Sequence, residues 1–284
     1  LFIILLAIKN LFSGFGKVGL MNYSCSLAAL FCGSVLIRTV ISPTSDIMPM
    51  AIVLWIVMEW TLLIEKDETE VCPYALLSVA GVFAFTGKVS MVMIILIAVK
   101  PVIVLCKEKR IKEILFYIGM GLFVMLPFLI RNVIITGWLL YPFAGIDLFP
   151  VDWKISRADV LQDAKYSMID NRKADIPAIY LNKWLPIWWK ETGRTERVYV
   201  IAIAVSILLW IRQLIGYIRT GFKSNVRWLN LEIAFFAGVF FWFFTGPVFR
   251  YASSFIVLFP FIIVGSMLER KENCSTVIGR RMDY

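Results

Sequence analysis

Three cations interrupt apolar sequence and are suited by type and position to bind an anionic group: Lys88, Arg131 and Arg250. A lysine inside an apolar stretch must reach water, a carboxylate or an anionic ligand, because burying the free ion is costly. Arg250 is predicted to open the last helix, where the helix dipole disfavours a cation, so an anionic partner explains it better than capping. Simpler interpretations stay open, with Lys88 snorkelling to the membrane interface and Arg131 anchoring a helix end.

Together the three cations predict a site for a phosphate-bearing lipid whose head group lies at the membrane interface. Four polar residues are predicted to line the same cavity: Asp46, Asn132, Tyr141 and Tyr251. Asp46 also has a structural alternative, because either Asp46 or Ser45 can cap the helix that follows Pro43.

The chain contains no histidine, which limits the chemistry available to it. A Ser-His-Asp or Cys-His nucleophile, a histidine-containing zinc site and histidine-held haem are excluded. Any reaction must therefore use carboxylates, Lys, Arg, Tyr or a metal bound by oxygen ligands. The residues assign no cofactor, and a divalent metal stays open without an assigned site.

The composition indicates that membrane helices position these residues. Of 284 residues, 60% are hydrophobic and 17% are charged, against about 25% charged in a soluble domain. We predict an all-α fold, a polytopic transmembrane helical bundle of about nine spans with a large outer-face loop region that contains an interfacial helix. The predicted spans are residues 1–14, 22–41, 47–64, 72–86, 89–106, 112–130, 199–217, 229–246 and 250–267.

The net charge is +9, and the basic residues are spread over short links between spans. This distribution is typical of residues that set the orientation of a membrane protein, so we predict no nucleic-acid partner. The basic links 107–112 and 219–227 and the tail 270–281 fall on one side, the predicted cytoplasmic side. The predicted organisation is transmembrane helices 1 to 6 in residues 1–130, an extracytoplasmic loop region in 131–198, and helices 7 to 9 with a basic cytoplasmic tail in 199–284.

The predicted loop region 131–198 carries five tryptophans and nearly balanced charge. Residues 176–191 are predicted to form an amphipathic interfacial helix, broken or kinked at Pro186. The tryptophans fit an aromatic belt at the membrane surface, or a platform for a sugar ring or lipid chain. The chain begins at Leu1 inside an apolar run, so with this topology we expect at least one span and one outer loop ahead of it.

The order of the polar motifs resembles that of the GT-C superfamily of bacterial membrane glycosyltransferases. The matching motifs are Ser42-Pro43-Thr44-Ser45-Asp46, Thr86-Gly87-Lys88, Arg131-Asn132 followed by Thr136-Gly137 and Tyr141-Pro142, and a late Arg250-Tyr251. The chain departs from the pattern at Trp138-Leu139, where relatives commonly have Asn-Pro.

The resemblance implies an enzyme of the bacterial cytoplasmic (inner) membrane that transfers a sugar from a polyprenyl-phosphate donor to an acceptor on the outer face. Its partners are then a lipid-linked sugar donor and membrane lipid. The donor phosphate is then expected to lie near Lys88, Arg131 and Arg250. The resemblance also implies that the reaction inverts the configuration at the anomeric carbon of the sugar, and that the catalytic acidic residue lies upstream of Leu1. The chain alone is then expected to be inactive.

Two other functions remain alternatives. A polysaccharide polymerase or O-antigen ligase-like protein also has a large outer loop and outer arginines. A non-enzymatic transporter or flippase is less favoured, because such proteins usually place polar sites near the bilayer midplane and contain related halves, whereas the predicted spans are nearly free of charge at their centres. The sequence determines neither the sugar, the acceptor nor the oligomeric state.

Overall fold

The computed structural model describes residues 2–12, 19–40, 46–219, 221 and 226–282, without the side chains of 33–40 and 271–282. All regular structure in this part of the chain is helical. The α-helices are α1 (Phe2–Phe12), α2 (Leu20–Val40), α3 (Ile47–Glu65), α4 (Val71–Gly87), α5 (Val99–Lys107), α6 (Ile111–Thr136), α7 (Arg157–Arg172), α8 (Leu181–Glu191), α9 (Arg194–Arg219), α10 (Leu229–Thr245) and α11 (Ser253–Met282). Two 3-10 helices, Val89–Ala98 and Phe249–Tyr251, precede α5 and α11.

The prediction of an all-helical membrane protein is confirmed at the level of helix type and apolar length. Five helical stretches are long and apolar enough to cross a membrane: Ile47–Glu65, Val89–Lys107, Ile111–Thr136, Arg194–Arg219 and Ser253–Arg270. The shorter apolar stretches are Phe2–Phe12, Leu20–Cys32, Val71–Gly87 and Leu229–Thr245. Each of the nine predicted spans coincides with one of these stretches, but the number that actually cross a bilayer stays a prediction.

The core lies where α2, α3, α10 and α11 meet the 3-10 helix Val89–Ala98. Its largest side chains include Trp60, Phe235, Phe255 and Phe259, all fully buried. Helix α6 lies at the periphery against α4 and α5, and it exposes most of its apolar surface. A contiguous apolar surface of this kind is typical of contact with lipid.

The links between helices define two ends of the bundle. We call the end that carries Asp46, Lys88, the region 137–193 and the turn 246–252 the loop end, and the opposite end the tail end. At the tail end, the Glu65 carboxylate accepts the backbone amides of Gly19 and Asn22 at 3.0 and 2.8 Å. It thereby satisfies free N–H groups at the start of α2, where the helix dipole also favours a negative charge.

The 3-10 helix Val89–Ala98 is long for its type, since 3-10 runs above about four residues are uncommon. It packs between α4 and α10 and continues directly into α5. The Asn230 side-chain amide donates to the Leu96 carbonyl oxygen at 3.1 Å, which gives this irregular segment a polar contact with α10.

The loop region differs from the prediction in two of its helices. Helix α7 was not predicted, although Ser156 caps it by accepting the amide of Asp159 at 3.2 Å, a serine-to-acid spacing that the sequence displays. Helix α8 begins at Leu181 instead of residue 176, and Pro186 lies within it.

The tryptophans of this region divide by burial. Trp138, Trp184 and Trp188 are 1%, 0% and 5% exposed, so they pack inside the protein and do not form a belt on its surface. Trp153 is 58% exposed, so it can still contribute to the predicted aromatic belt at the membrane surface.

Candidate functional site

Three separate links bring polar residues together at the loop end. Asp46 precedes α3, Lys88 joins α4 to the 3-10 helix Val89–Ala98, and Arg250 and Tyr251 belong to the 3-10 turn before α11. We call these four residues the loop-end cluster. The sequence separations are 42 residues between Asp46 and Lys88 and 162 between Lys88 and Arg250, so tertiary packing alone brings them together.

Lys88 is the centre of the loop-end cluster. Its ammonium group forms an ion pair with the Asp46 carboxylate and a 3.4 Å hydrogen bond to the Arg250 carbonyl oxygen. Lys88 Nζ lies 4.5 Å from the centroid of the Tyr251 ring, and Arg250 Cζ lies 5.3 Å from the same centroid. Two cations thus share one aromatic ring beside a single carboxylate.

Burial and the carboxylate of Asp46 have opposing effects on the pKa of Lys88. Its side chain is 13% exposed and that of Asp46 is 11% exposed. Burial lowers the pKa of Lys88, Arg250 lowers it further, and the hydrogen bond to Asp46 and its negative charge act in the opposite direction. Arg250 is exposed, and its hydrogen bond with Tyr251 raises its pKa. With two cations and one carboxylate, the cluster keeps a positive charge on its exposed side.

The local sequence explains why Lys88 reaches Asp46. A Cβ atom at Gly87 would lie 2.6 Å from Cγ of Pro49, so only glycine allows α4 to end this close to the start of α3. The Ser90 hydroxyl donates to the Tyr251 carbonyl oxygen at 2.5 Å and connects the turn after Lys88 to the turn that holds Arg250.

Asp46 occupies the N-cap position of α3, but its side chain makes no capping hydrogen bond. The carboxylate is directed to Lys88 instead, so the capping role considered for Asp46 is not the one observed. Ser45, the other predicted cap, and the neighbouring residues 42–44 lie outside the described residues.

Arg131 does not join the loop-end cluster. Its side chain is exposed on α6 beside apolar residues of the same helix, including Pro127, Ile130 and Ile134. Among the described residues, no hydrogen bond or ion pair connects it to Lys88 or Arg250. Its position at the end of an apolar helix fits the simpler interpretation of a helix-end anchor.

Tyr141 belongs to a second, smaller packing unit around Trp138, and Asn132 bonds the backbone beside it. The Asn132 amide donates to the Leu139 carbonyl oxygen at 3.2 Å. The Tyr141 hydroxyl donates to the Asp163 carboxylate, and this hydrogen bond raises the pKa of Tyr141. Both residues therefore stabilise the start of the loop region and do not line the loop-end cluster.

Two tryptophans fix the turn beside Arg250: Trp188, which was predicted only as part of an interfacial surface, and Trp242, which lies in a predicted span. The Trp188 indole N–H donates to the Pro247 carbonyl oxygen at 2.8 Å, and the Trp242 indole N–H donates to that of Val248 at 2.9 Å. The two residues lie on α8 and α10. Sequence offers no signal for these bonds, because they join segments that are brought together only by folding.

The described part of the chain offers no cluster of metal ligands. No group of three or more His, Cys, Asp or Glu side chains comes together there. The loop-end cluster itself offers one carboxylate, already paired with Lys88. Its chemistry is that of a basic, partly buried site that can attract an anionic group.

Fold and site together define the class of this protein, an all-helical, membrane-associated protein with a basic cluster at one end of its bundle. Within that class, the chain belongs to a family described as a domain of unknown function (DUF8201), which matches residues 1–257. Neither a curated protein nor a solved structure gives a significant match to the chain.

Proposed function

We propose that the chain is part of an integral membrane glycosyltransferase that transfers a sugar from a polyprenyl-phosphate donor to an acceptor on the outer face of a bacterial cytoplasmic membrane. The observation that carries this proposal is the convergence of Lys88 and Arg250 on the ring of Tyr251. In this proposal the loop end faces the outer side, and the donor phosphate binds against the exposed side of Arg250.

The reaction proposed is a direct displacement at the anomeric carbon. The acceptor oxygen forms a bond to that carbon while the bond between the carbon and the phosphate oxygen breaks, and the electron pair stays on the phosphate. The acceptor proton passes to a base, which we do not assign among the described residues. Lys88 and Arg250 stabilise the negative charge that grows on the departing polyprenyl phosphate, an effect worth about 100- to 1,000-fold in rate for one well-placed donor.

Asp46 has a positioning role in this proposal. It holds the Lys88 ammonium beside Tyr251 by an ion pair, while the Arg250 guanidinium stays exposed. Lys88 thus contributes charge from a fixed position, and Arg250 offers the planar fork that matches phosphate oxygens. Arg131, which lies on a separate surface, is not included in the proposed site.

The position of the buried carboxylate Glu232 does not favour the transporter alternative. Glu232 is fully buried and accepts hydrogen bonds from Trp210 at 3.3 Å and Gln213 at 3.1 Å. It lies in the first turn of α10, at the tail end, and not at the midpoint of a helix, where a transporter site is usual.

The proposal can be tested with polyprenyl monophosphate as the probe. The purified chain in detergent is titrated with this lipid, and binding is followed by native mass spectrometry. We expect Arg250→Ala to weaken binding by about 10- to 100-fold, the loss of one charge-assisted hydrogen bond. Lys88→Ala should also weaken binding, because it removes a positive charge beside the site. Arg131→Ala should bind like the unchanged protein. Equal binding by all variants contradicts the proposed site.

Activity is tested in membranes of cells that produce the protein. Membranes that contain it are given polyprenyl-phosphate-linked sugars, and product formation is compared for the unchanged protein and Arg250→Ala. We expect the variant to insert normally and lose turnover. A polymeric product would instead identify the polysaccharide polymerase alternative.

A further inference from the structure

A large apolar groove lies between α8, α9 and α10 toward the loop end. Its volume is about 640 Å³, and its walls include Leu185, Ile203, Val239 and Phe243. Helix α9 packs against α11, while α10 packs against both α11 and the 3-10 helix Val89–Ala98. The two helices are therefore held by other neighbours, and the space between them is left open on the side that α8 covers only in part.

A buried cation lies at the loop end of this groove. Arg172, the last residue of α7, is 4% exposed, and its guanidinium donates to the carbonyl oxygen of Phe244, a residue of the groove wall. The guanidinium carbon lies 5.7 Å from the Trp184 ring. Its Nε is buried without a hydrogen-bond partner, and no carboxylate within the described residues lies within ion-pair distance of it. Burial also lowers the pKa of Arg172.

A second arginine lies at the rim beside α8. Arg197 donates to the Lys190 carbonyl oxygen at 3.0 Å, and its guanidinium carbon lies 5.4 Å from the ring of Trp189, another residue of the groove wall. Its Nε, like that of Arg172, is buried and has no partner among the residues described. The groove therefore has apolar walls, and two arginines, each with a buried Nε that lacks a partner among the described residues, contact residues of those walls.

An anionic lipid satisfies both parts of this arrangement. Apolar walls favour a hydrocarbon chain, and the guanidinium fork matches the oxygens of a phosphate. A buried guanidinium without a counter-ion is costly, so an anion at this position supplies the missing partner. We propose that the groove binds an anionic glycerophospholipid of the bilayer, with an acyl chain between α9 and α10 and the phosphate at Arg172 and Arg197.

This lipid site is separate from the loop-end cluster. Among the described residues, no hydrogen bond or ion pair connects Arg172 or Arg197 to Lys88 or Arg250. The groove wall connects the two sites, since Trp188 and Trp242 line the groove and donate to the Pro247 and Val248 carbonyl oxygens before Arg250. A bound phospholipid supports these indoles and thereby the turn that carries Arg250.

Native mass spectrometry tests the lipid site in the purified chain. The chain in detergent is incubated with phosphatidylglycerol or phosphatidylcholine of the same acyl composition. We expect phosphatidylglycerol to bind about tenfold more tightly, and the double variant Arg172→Gln/Arg197→Gln to lose this preference. Arg157→Gln, a charge change on the exposed start of α7, serves as the control and should keep it.

A pair of tryptophan substitutions tests the groove without touching the arginines. Ala204 lines the groove and is exposed, so Ala204→Trp should fill it and reduce retained lipid about tenfold. Val205→Trp, one residue along and 50% exposed outside the groove, should retain lipid normally. A chain that remains monodisperse with either substitution shows that folding is not the cause.

Three outcomes overturn the proposal. The first is equal binding of the two phospholipids by the unchanged chain, and the second is an unaltered preference in the double arginine variant. The third is displacement of phosphatidylglycerol by polyprenyl monophosphate, which would make the groove part of a donor site. Arg250→Ala should retain phosphatidylglycerol, so failure of the phospholipid site and failure of the proposed function give different results.

Discussion

The indole nitrogen of Trp188 lies 2.8 Å from the carbonyl oxygen of Pro247 and donates a hydrogen bond to it. This contact joins the loop region to the turn that holds Arg250, across 59 residues of sequence. Trp188 is 5% exposed, so water cannot replace the bond. The position of Arg250 therefore depends on the fold of the loop region and not only on the bundle.

Trp188→Phe tests this dependence. The substitution keeps an aromatic ring and removes the donor, which leaves a buried carbonyl unsatisfied at a cost of about 1–3 kcal/mol. We expect a lower midpoint of thermal unfolding in detergent and weaker binding of polyprenyl monophosphate. Trp153→Phe, at a residue that is 58% exposed, is the matched control and should change neither quantity.

The lowered pKa of Lys88 predicts how anion binding depends on pH. Binding needs the protonated ammonium, so affinity for polyprenyl monophosphate should fall as pH rises through a pKa below the usual lysine range. Asp46→Asn removes a group that raises this pKa, so the loss should occur at lower pH. Lys88→Arg should bind without a decline over this range, because arginine stays protonated.

These three titration curves give a direct comparison of affinity against pH. Curves for the unchanged chain and Asp46→Asn that coincide would show that the carboxylate does not control Lys88. A decline that persists in Lys88→Arg would assign the titration to another group.

The close approach at Gly87 predicts a specific effect of a methyl group. Gly87→Ala places its Cβ 2.6 Å from Cγ of Pro49, so α3 and α4 must separate and the Lys88 ammonium moves away from Asp46. We expect destabilisation of about 1–3 kcal/mol, the usual cost of overpacking, together with weaker lipid binding. Thermal unfolding and the lipid titration measure the two effects.

Gly119→Ala is the control for Gly87→Ala. Gly119 lies in α6, and a Cβ there has no neighbour within 4 Å. Alanine in a helix interior should be neutral or stabilising by about 0.5–1 kcal/mol. Similar losses in both variants would mean that helix packing at Gly87 is not the cause.

The Glu65 carboxylate predicts a stability effect at the tail end. Glu65→Gln removes the negative charge that accepts the amides of Gly19 and Asn22, and should destabilise the chain by about 1 kcal/mol. Glu70→Gln, at an exposed residue of the same link, should have little effect. The midpoints of thermal unfolding of the two variants are compared in the same detergent. An unchanged midpoint for Glu65→Gln contradicts the capping role.

Sequence predicted the apolar helices well, because hydropathy over about 20 residues depends only on local composition. It also singled out Lys88, Arg250, Asp46 and Tyr251 individually, since each stands out against apolar surroundings. It could not separate them from Arg131, because three cations at three helix ends have the same local pattern whether or not packing brings them together.

The contacts that sequence could not predict are those between distant segments. The burial of Arg172 at the end of α7 depends on the carbonyl of Phe244, 72 residues later. In the sequence this arginine stands beside Lys173 in a polar stretch and gives no sign of being enclosed. The capping pair Ser156 and Asp159, in contrast, has a spacing that indicates a helix start from the sequence alone, although helix α7 was not predicted.

The 3-10 helix Val89–Ala98 also increases the length of its helical segment. Ten residues rise about 20 Å in a 3-10 helix, against about 15 Å in an α-helix. With α5 attached, the stretch Val89–Lys107 extends about 33 Å, slightly more than a hydrocarbon core of about 30 Å, whereas a fully α-helical stretch of this length would fall just short. The added length is enough for one segment to extend from one side of such a core to the other, with Lys88 and Lys107 at its two ends.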